Sequence, residues 1–374
     1  GLDPFPDRPA PSYVWYHDKL RYLLLPQKRP APLIFLIAGT GSSYHGPSMR
    51  TLSAAFFVAG FHVVVLPSPT SLPFMVTAST TQVPGVLDDD SRDLYRVMSM
   101  AWEEQLDRRL DVTEFHLAGF SLGAAQAAFI SKLDEDQKVF DFGRVLMINP
   151  PVSLYNSALI LDGFLRDNVS SGREFMEFWD EVAEALGEEF AATRSNVQLG
   201  PDWLYRVYAD RRPDDQRLAM LIGLAFAFTA QNLVTMADVL TESAYIVPIG
   251  LKANISAYVN PYFVVSVRTP FELYFRELMV PYYRRSDPAI TEDELKHRAS
   301  LQSIEDYLRT TERVGVSHNA DDVIMADGEL DWLADVFGER ATIWPRGGHG
   351  GNLAYRENVE YMLAFFGASL PDGR

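Results

Sequence analysis

The chain has 374 residues, 47% of them hydrophobic and 22% charged, a globular composition long enough for one large domain or two smaller ones. Its 50 Asp and Glu against 33 Lys and Arg leave a formal net charge of −17, a field that repels phosphate backbones and anionic lipid and so argues against nucleic-acid binding. There is no cysteine, which excludes disulfides, thiolate metal sites and a cysteine nucleophile.

The chain opens on Gly1-Leu2-Asp3 without an initiator methionine. That fits a removed signal peptide or a truncated start, and the balance leans to an exported protein with its compartment open. Leu33-Ile34-Phe35-Leu36-Ile37-Ala38 is a continuous apolar run closed by Gly39, as expected of a strand buried on both faces. Residues 48–59 read as a helix, and Phe61-His62-Val63-Val64-Val65-Leu66 as a second strand closed by a proline-rich loop at 67–73. Residues 89–106 form another helix, with Leu94, Val97, Met98, Ala101 and Trp102 on one face. Asp88-Asp89-Asp90 at its start reads as an N-terminal cap, not a cation site.

Val112-Thr113-Glu114-Phe115-His116-Leu117-Ala118 carries β-branched and aromatic side chains suited to a strand. Gly119-Phe120-Ser121-Leu122-Gly123 follows, and then the helix formers Ala124-Ala125-Gln126-Ala127-Ala128. Residues 143–150 are a further strand. Strands alternating with helices predict a mostly parallel sheet with right-handed crossovers.

From 151 to 311 that rhythm is lost. Helix-like stretches cover 173–185, 217–240 and 270–278, with frequent aromatics: Phe164, Phe175, Phe178, Trp179, Trp203, Tyr205, Phe226, Phe228, Tyr274 and Phe275. The uncharged run 218–237 turns polar at Gln231-Asn232, short of the ~20 apolar residues a membrane span needs, and predicts a buried helix. Alternation returns with a strand at 313–317, a helix at 329–337, a strand at 341–344 and a closing helix at 352–366. Sheet-forming segments on both sides make 151–311 an insertion into one α/β domain of residues 1–150 and 312–374.

Ser121 stands where a strand turns sharply into a helix. Such a turn exposes the hydroxyl in a strained backbone conformation, with the helix N-terminus aimed at it. A serine hydroxyl needs a base, and the base needs an orienting acid. His349 is the candidate base, in Pro345-Arg346-Gly347-Gly348-His349-Gly350-Gly351 after the last strand, where glycines allow close approach to another backbone. The loop after the preceding strand reads Ser317-His318-Asn319-Ala320-Asp321-Asp322-Val323-Ile324. Asp321 is the favoured acid, with an apolar pair beginning two residues later to anchor the loop, and Asp322 is the alternative. An oxyanion hole needs two backbone N–H groups. Leu122 supplies one, and Thr40 of Gly39-Thr40-Gly41-Ser42-Ser43 the other. That loop matches neither the dinucleotide fingerprint nor the lysine-containing P-loop. His45, His62, His116, His297 and His318 are scattered, with no metal-binding His-Glu-x-x-His helix, and Asn149-Pro150-Pro151 reads as a strand end without chemistry.

Ser121, Asp321 and His349 occur in the order nucleophile, acid, base, each after a strand. In this the chain resembles the α/β-hydrolase superfamily over about 31–150 and 312–367. The resemblance implies a mostly parallel sheet flanked by helices, with the site at the strands' C-terminal ends. Residues 151–311 become a large, mainly helical cap inserted before the acid-bearing strand. The chain departs from many members in having Ala38-Gly39 where they begin the oxyanion loop with His-Gly. The reaction expected is hydrolysis of a carboxylic ester, thioester or amide through a Ser-His-Asp triad and an acyl-enzyme, without metal or organic cofactor. The expected partner is a small acyl substrate, apolar if the aromatic cap folds over the site. The alternatives are an acyltransferase with the same nucleophile, or a non-catalytic protein of this fold that binds through its insertion.

Overall fold

The computed structural model describes residues 1–8, 10–11, 14–106, 110–193, 213–249, 262, 265–266 and 269–371. Among these, one sheet is built from β1 (Leu23–Leu25), β2 (Ala31–Ile37), β3 (His62–Leu66), β4 (Val112–Phe120), β5 (Arg144–Ile148), β6 (Val314–Asn319) and β7 (Ala341–Trp344). The strand order is β1-β3-β2-β4-β5-β6-β7. β1 runs antiparallel to β3, and every other pair is parallel.

The central strands are continuous apolar runs because both of their faces are covered. Leu33, Phe35 and Ile37 of β2 pack in one core and Ile34 and Leu36 in the other, the two-residue alternation of a strand. The first core is closed by α3 (Leu87–Ala101), α4 (Leu122–Gln137) and the helix Glu329–Phe337; the second by α1 (Pro47–Val58) and the helix Arg356–Phe365. In the first 150 residues two elements escape the sequence reading: the three-residue β1, and α2 (Leu72–Thr77), which begins inside the proline-rich loop. The helix expected at 89–106 starts two residues earlier and passes into a wider turn at Trp102–Leu106.

The chain lays β3 on one side of β2 and then β4 on the other. The loops after β2 and β4 therefore leave the sheet side by side, Ile37 pairing with Gly119. This is the switch point where open α/β sheets bind ligands.

Between β5 and β6 the described residues contain helices and no strand of the sheet. They include α5 (Leu154–Arg166), α6 (Gly172–Thr193), the long helix Asp215–Leu240, a run that opens with Phe271–Tyr274 and closes with Val280–Arg284, and Glu292–Arg298. Trp203 and Tyr205 lie outside the described residues. Phe178 and Phe228 are buried in one core of this segment, Tyr274 and Phe275 in another. Asp215–Leu240 is long and apolar enough to cross a membrane by length and composition, with mean hydropathy 1.7, but 56% of its most apolar window is buried inside the protein. It packs on α5 and α2.

The segment is pinched at its neck. Leu154 N donates to Ala299 O at 3.0 Å and Leu301 N to Val152 O at 2.8 Å. Beyond the neck, Leu301, Ile304 and Leu308 pack in the core of the sheet. The helix Glu305–Thr310 thus packs as the crossover into β6.

Candidate active site

β4 ends at Phe120 and α4 begins at Leu122, so Ser121 alone makes the turn, at φ 56° and ψ −126°. A residue with a Cβ pays about 1–3 kcal/mol for such a conformation and keeps it only where its surroundings impose it. Here Ser121 N donates to Ile148 O and Ala124 N to Ser121 O, both at 2.9 Å. The flanking glycines are steric requirements. A Cβ on Gly119 would strike the Gly123 carbonyl, and one on Gly123 the carbonyls of Ile37 and Ala38.

The loop after β7 brings His349 Nε2 to 2.8 Å from Ser121 Oγ. Its Nδ1 lies 2.9 Å from Asp322 Oδ2 and 3.1 Å from Asp322 Oδ1. The acid facing the imidazole is therefore Asp322, and the expectation of Asp321 is corrected. The anchor of this loop is one residue later than expected: Val323 is exposed and only Ile324 is buried. The two-residue spacing from acid to anchor thus points to Asp322, which is buried, while Asp321 faces solvent. Asp321 has a different task, as its Oδ1 accepts from Gly348 N at 2.7 Å.

Three groups besides His349 surround the Asp322 carboxylate. Asn149 Nδ2 donates to Oδ2 at 2.9 Å, Ile324 N to Oδ1 at 3.2 Å, and His318 Nε2 stands 3.8 Å from Oδ2. His318 is fully buried. Asn319 N donates to its Nδ1 at 2.9 Å, which leaves the ring proton on Nε2, 3.1 Å from Pro150 O. Burial lowers the His318 pKa in spite of the nearby carboxylate.

Amides hold the histidine loop. Asn319 Nδ2 donates to Gly348 O at 2.8 Å, and Asn319 and Asn352 exchange two side-chain hydrogen bonds of 3.0 and 2.7 Å. None of Asn149, His318, Asn319 and Asn352 carried a functional signal in the sequence. Asn149 offered the nearest thing to one, an asparagine directly after a strand, where a left-handed residue can end it.

The loop after β2 abuts the serine: a Cβ on Gly39 would lie 3.1 Å from Ser121 Cβ. Within it, Gly41 N is taken by Thr70 Oγ1 at 2.8 Å and Ser42 N by Gly39 O at 3.0 Å. Among the described residues Thr40 N has no hydrogen-bond partner, nor has Leu122 N in the first turn of α4. Both donors are thus available beside Ser121. Among the described residues no group of three or more His, Asp or Glu side chains could hold a metal ion.

The strand order, the lone antiparallel edge strand and the strand–serine–helix turn are those of the α/β-hydrolase fold. Solved structures similar to this chain include Est1E from Butyrivibrio proteoclasticus with ferulic acid bound, at 11% identity and TM-score 0.40, over 93% of this chain and 96% of that one. The esterase Pf2001 of Pyrococcus furiosus is 9% identical, with TM-score 0.42 over 94% and 91%. The proline iminopeptidase of Mycobacterium smegmatis is 13% identical, with TM-score 0.42 over 92% and 93%. At such identities and scores the likeness carries no argument about reaction or substrate. No protein-family model and no curated protein matches the chain.

Proposed function

We propose that this protein is a serine hydrolase that cleaves a carboxylic ester, thioester or amide through an acyl-enzyme on Ser121. The observation that carries the reading is the unbroken relay of Ser121 Oγ to His349 Nε2 at 2.8 Å and His349 Nδ1 to Asp322 at 2.9 Å, set on a strained turn. An ionised Asp322 only accepts hydrogen bonds, so the imidazole carries its proton on Nδ1 and presents a bare Nε2 to the serine. Ser121 Oγ attacks the acyl carbon as its proton passes to Nε2. The imidazolium, stabilised by Asp322, then returns the proton to the leaving alcohol, thiol or amine. Water repeats the sequence and frees the acid. Leu122 N–H and Thr40 N–H receive the oxyanion.

The helical insertion acts as a cap. It brings Thr229 of Asp215–Leu240 against Gly41, with the threonine hydroxyl spent on Ala225 O at 3.0 Å and the methyl turned to the oxyanion loop. An apolar acyl group suits that surface.

A panel of nitrophenyl esters, acyl thioesters and peptides, with Ser121→Ala as the blank, tests the reading. Wild-type protein should turn over at least one class, and the variant should lose at least about 10³-fold in kcat. Turnover that the variant retains would remove Ser121 from the reaction.

A further inference from the structure

β5 ends at Ile148, and Asn149 turns out of the sheet at φ 49°. Asparagine occupies this left-handed region more readily than other residues that carry a Cβ. Its backbone is tied down, with Asn149 N donating to Ser317 O at 2.8 Å, and its side chain is buried. The amide nitrogen lies 2.9 Å from Asp322 Oδ2 and 3.4 Å from Gly348 O. Both neighbours are acceptors, so the NH₂ group must be the side that faces them. One side chain therefore touches the acid and also the carbonyl of the residue preceding the base.

We infer that Asn149 is a positioning residue that keeps Asp322 and His349 in register and Asp322 ionised, an inference that rests on the triad reading above. Its first N–H competes for Oδ2 with His318, 3.8 Å away, and keeps the carboxylate turned to His349 Nδ1. Its second limits how far the Gly348–His349 peptide can withdraw from the acid. Hydrogen bonds to an ion are stronger than those between neutral groups, so the contact to Asp322 dominates. The next residue is clamped as well, since Pro150 O accepts from His318 Nε2 at 3.1 Å. The strand end that opens into the insertion is thereby fastened to the triad.

Two substitutions separate positioning from turn-making. Asn149→Gly tolerates the left-handed backbone and removes the amide. Asn149→Asp keeps the shape and puts a second carboxylate beside Asp322. Both are assayed in the full chain on whichever ester the wild type turns over, with melting temperatures in parallel and Ser121→Ala as reference. Asn149→Gly should lower kcat roughly 10- to 100-fold with KM within about twofold. Asn149→Asp should move the acid limb of the kcat/KM profile to higher pH, because an added negative charge favours the His349 imidazolium.

Wild-type kcat in Asn149→Gly would overturn the inference while leaving the triad reading intact. A shared loss of kcat with an unmoved acid limb in Asn149→Asp marks a packing effect and would overturn it as well. Activity surviving in Ser121→Ala would overturn the triad reading and this inference together.

Discussion

Asp322 is enclosed by His349, His318, Asn149 and the Ile324 amide, and that crowding sets its protonation. Burial alone would push its carboxyl up. The hydrogen bond and charge of His349, followed by His318 and Asn149, outweigh burial and hold the pKa below the ordinary carboxylate value. A depressed native pKa means that the stability this carboxylate contributes is present above the unfolded value near 4. It is lost as pH falls through the native one. Two histidines face one aspartate, and only His349 reaches the serine. Asp322→Asn should therefore lower kcat by about 10⁴-fold, because an amide can donate to Nδ1 and hold the imidazole in the wrong tautomer. It should also remove this residue's share of the stability lost on acidification, read from urea melts at pH 7 and pH 3. Asp321→Asn removes a charge from an exposed side chain that accepts from Gly348 N, and should cost less than about tenfold. Steady-state kinetics on one ester compares the two variants, and equal losses would contradict the assignment. The sequence offered both aspartates without the register of the turn. That register depends on which of Val323 and Ile324 is buried, a matter of packing that adjacent apolar residues do not disclose.

The elements that carry the site differ in how openly the sequence declares them. β2, β3 and β5 were legible because a strand covered on both faces must be apolar throughout or nearly so, and the strand leading to Ser121 by its β-branched and aromatic side chains. β1 is three leucines at an edge, too short for a period to show, and α2 hides behind the prolines of its own loop. The turns are the most constrained parts. Gly41 sits at φ 66°, and a Cβ there would run into the Thr229 methyl of the long insertion helix. Gly41→Ala should therefore destabilise the protein by roughly 1–2 kcal/mol from the left-handed backbone alone, with a further cost from the clash. Adding Thr229→Ala should recover the clash and leave the strain. Thermal melts and ester kinetics on the single and double variants check this. A silent Gly41→Ala would show that the helix does not bear on the oxyanion loop.

At the scale of the whole molecule, the sheet positions Ser121, Asp322 and His349, and described helices between β5 and β6 pack beside them. The switch point sets the loop after β2 beside the serine turn, while Asp322 and His349 stand on the neighbouring loops after β6 and β7. The insertion is fastened at several points: Tyr283 OH to Asp89 at 2.7 Å, Arg298 to Asp89 at 3.0 Å, Asn156 Nδ2 to Glu329 at 2.8 Å and Ser157 Oγ to Ile324 O at 2.8 Å. The last two tie α5 to the loop that bears Asp322 and to the first residue of the helix that follows it. Loss of alternation marked this segment in the sequence, but its packing edge at the Val152–Leu301 neck did not show. The helix beyond that neck looks like any other until its partners are known. Ser121 is where these constraints converge, and the covalent intermediate proposed on it is where they are tested. Folded wild-type protein treated with a fluorophosphonate and digested for mass spectrometry should carry one adduct per chain, on the peptide containing Ser121. Ser121→Ala should carry none and His349→Ala should label far more slowly. Folded wild-type protein that stays unlabelled, or an adduct on another residue, would contradict the account.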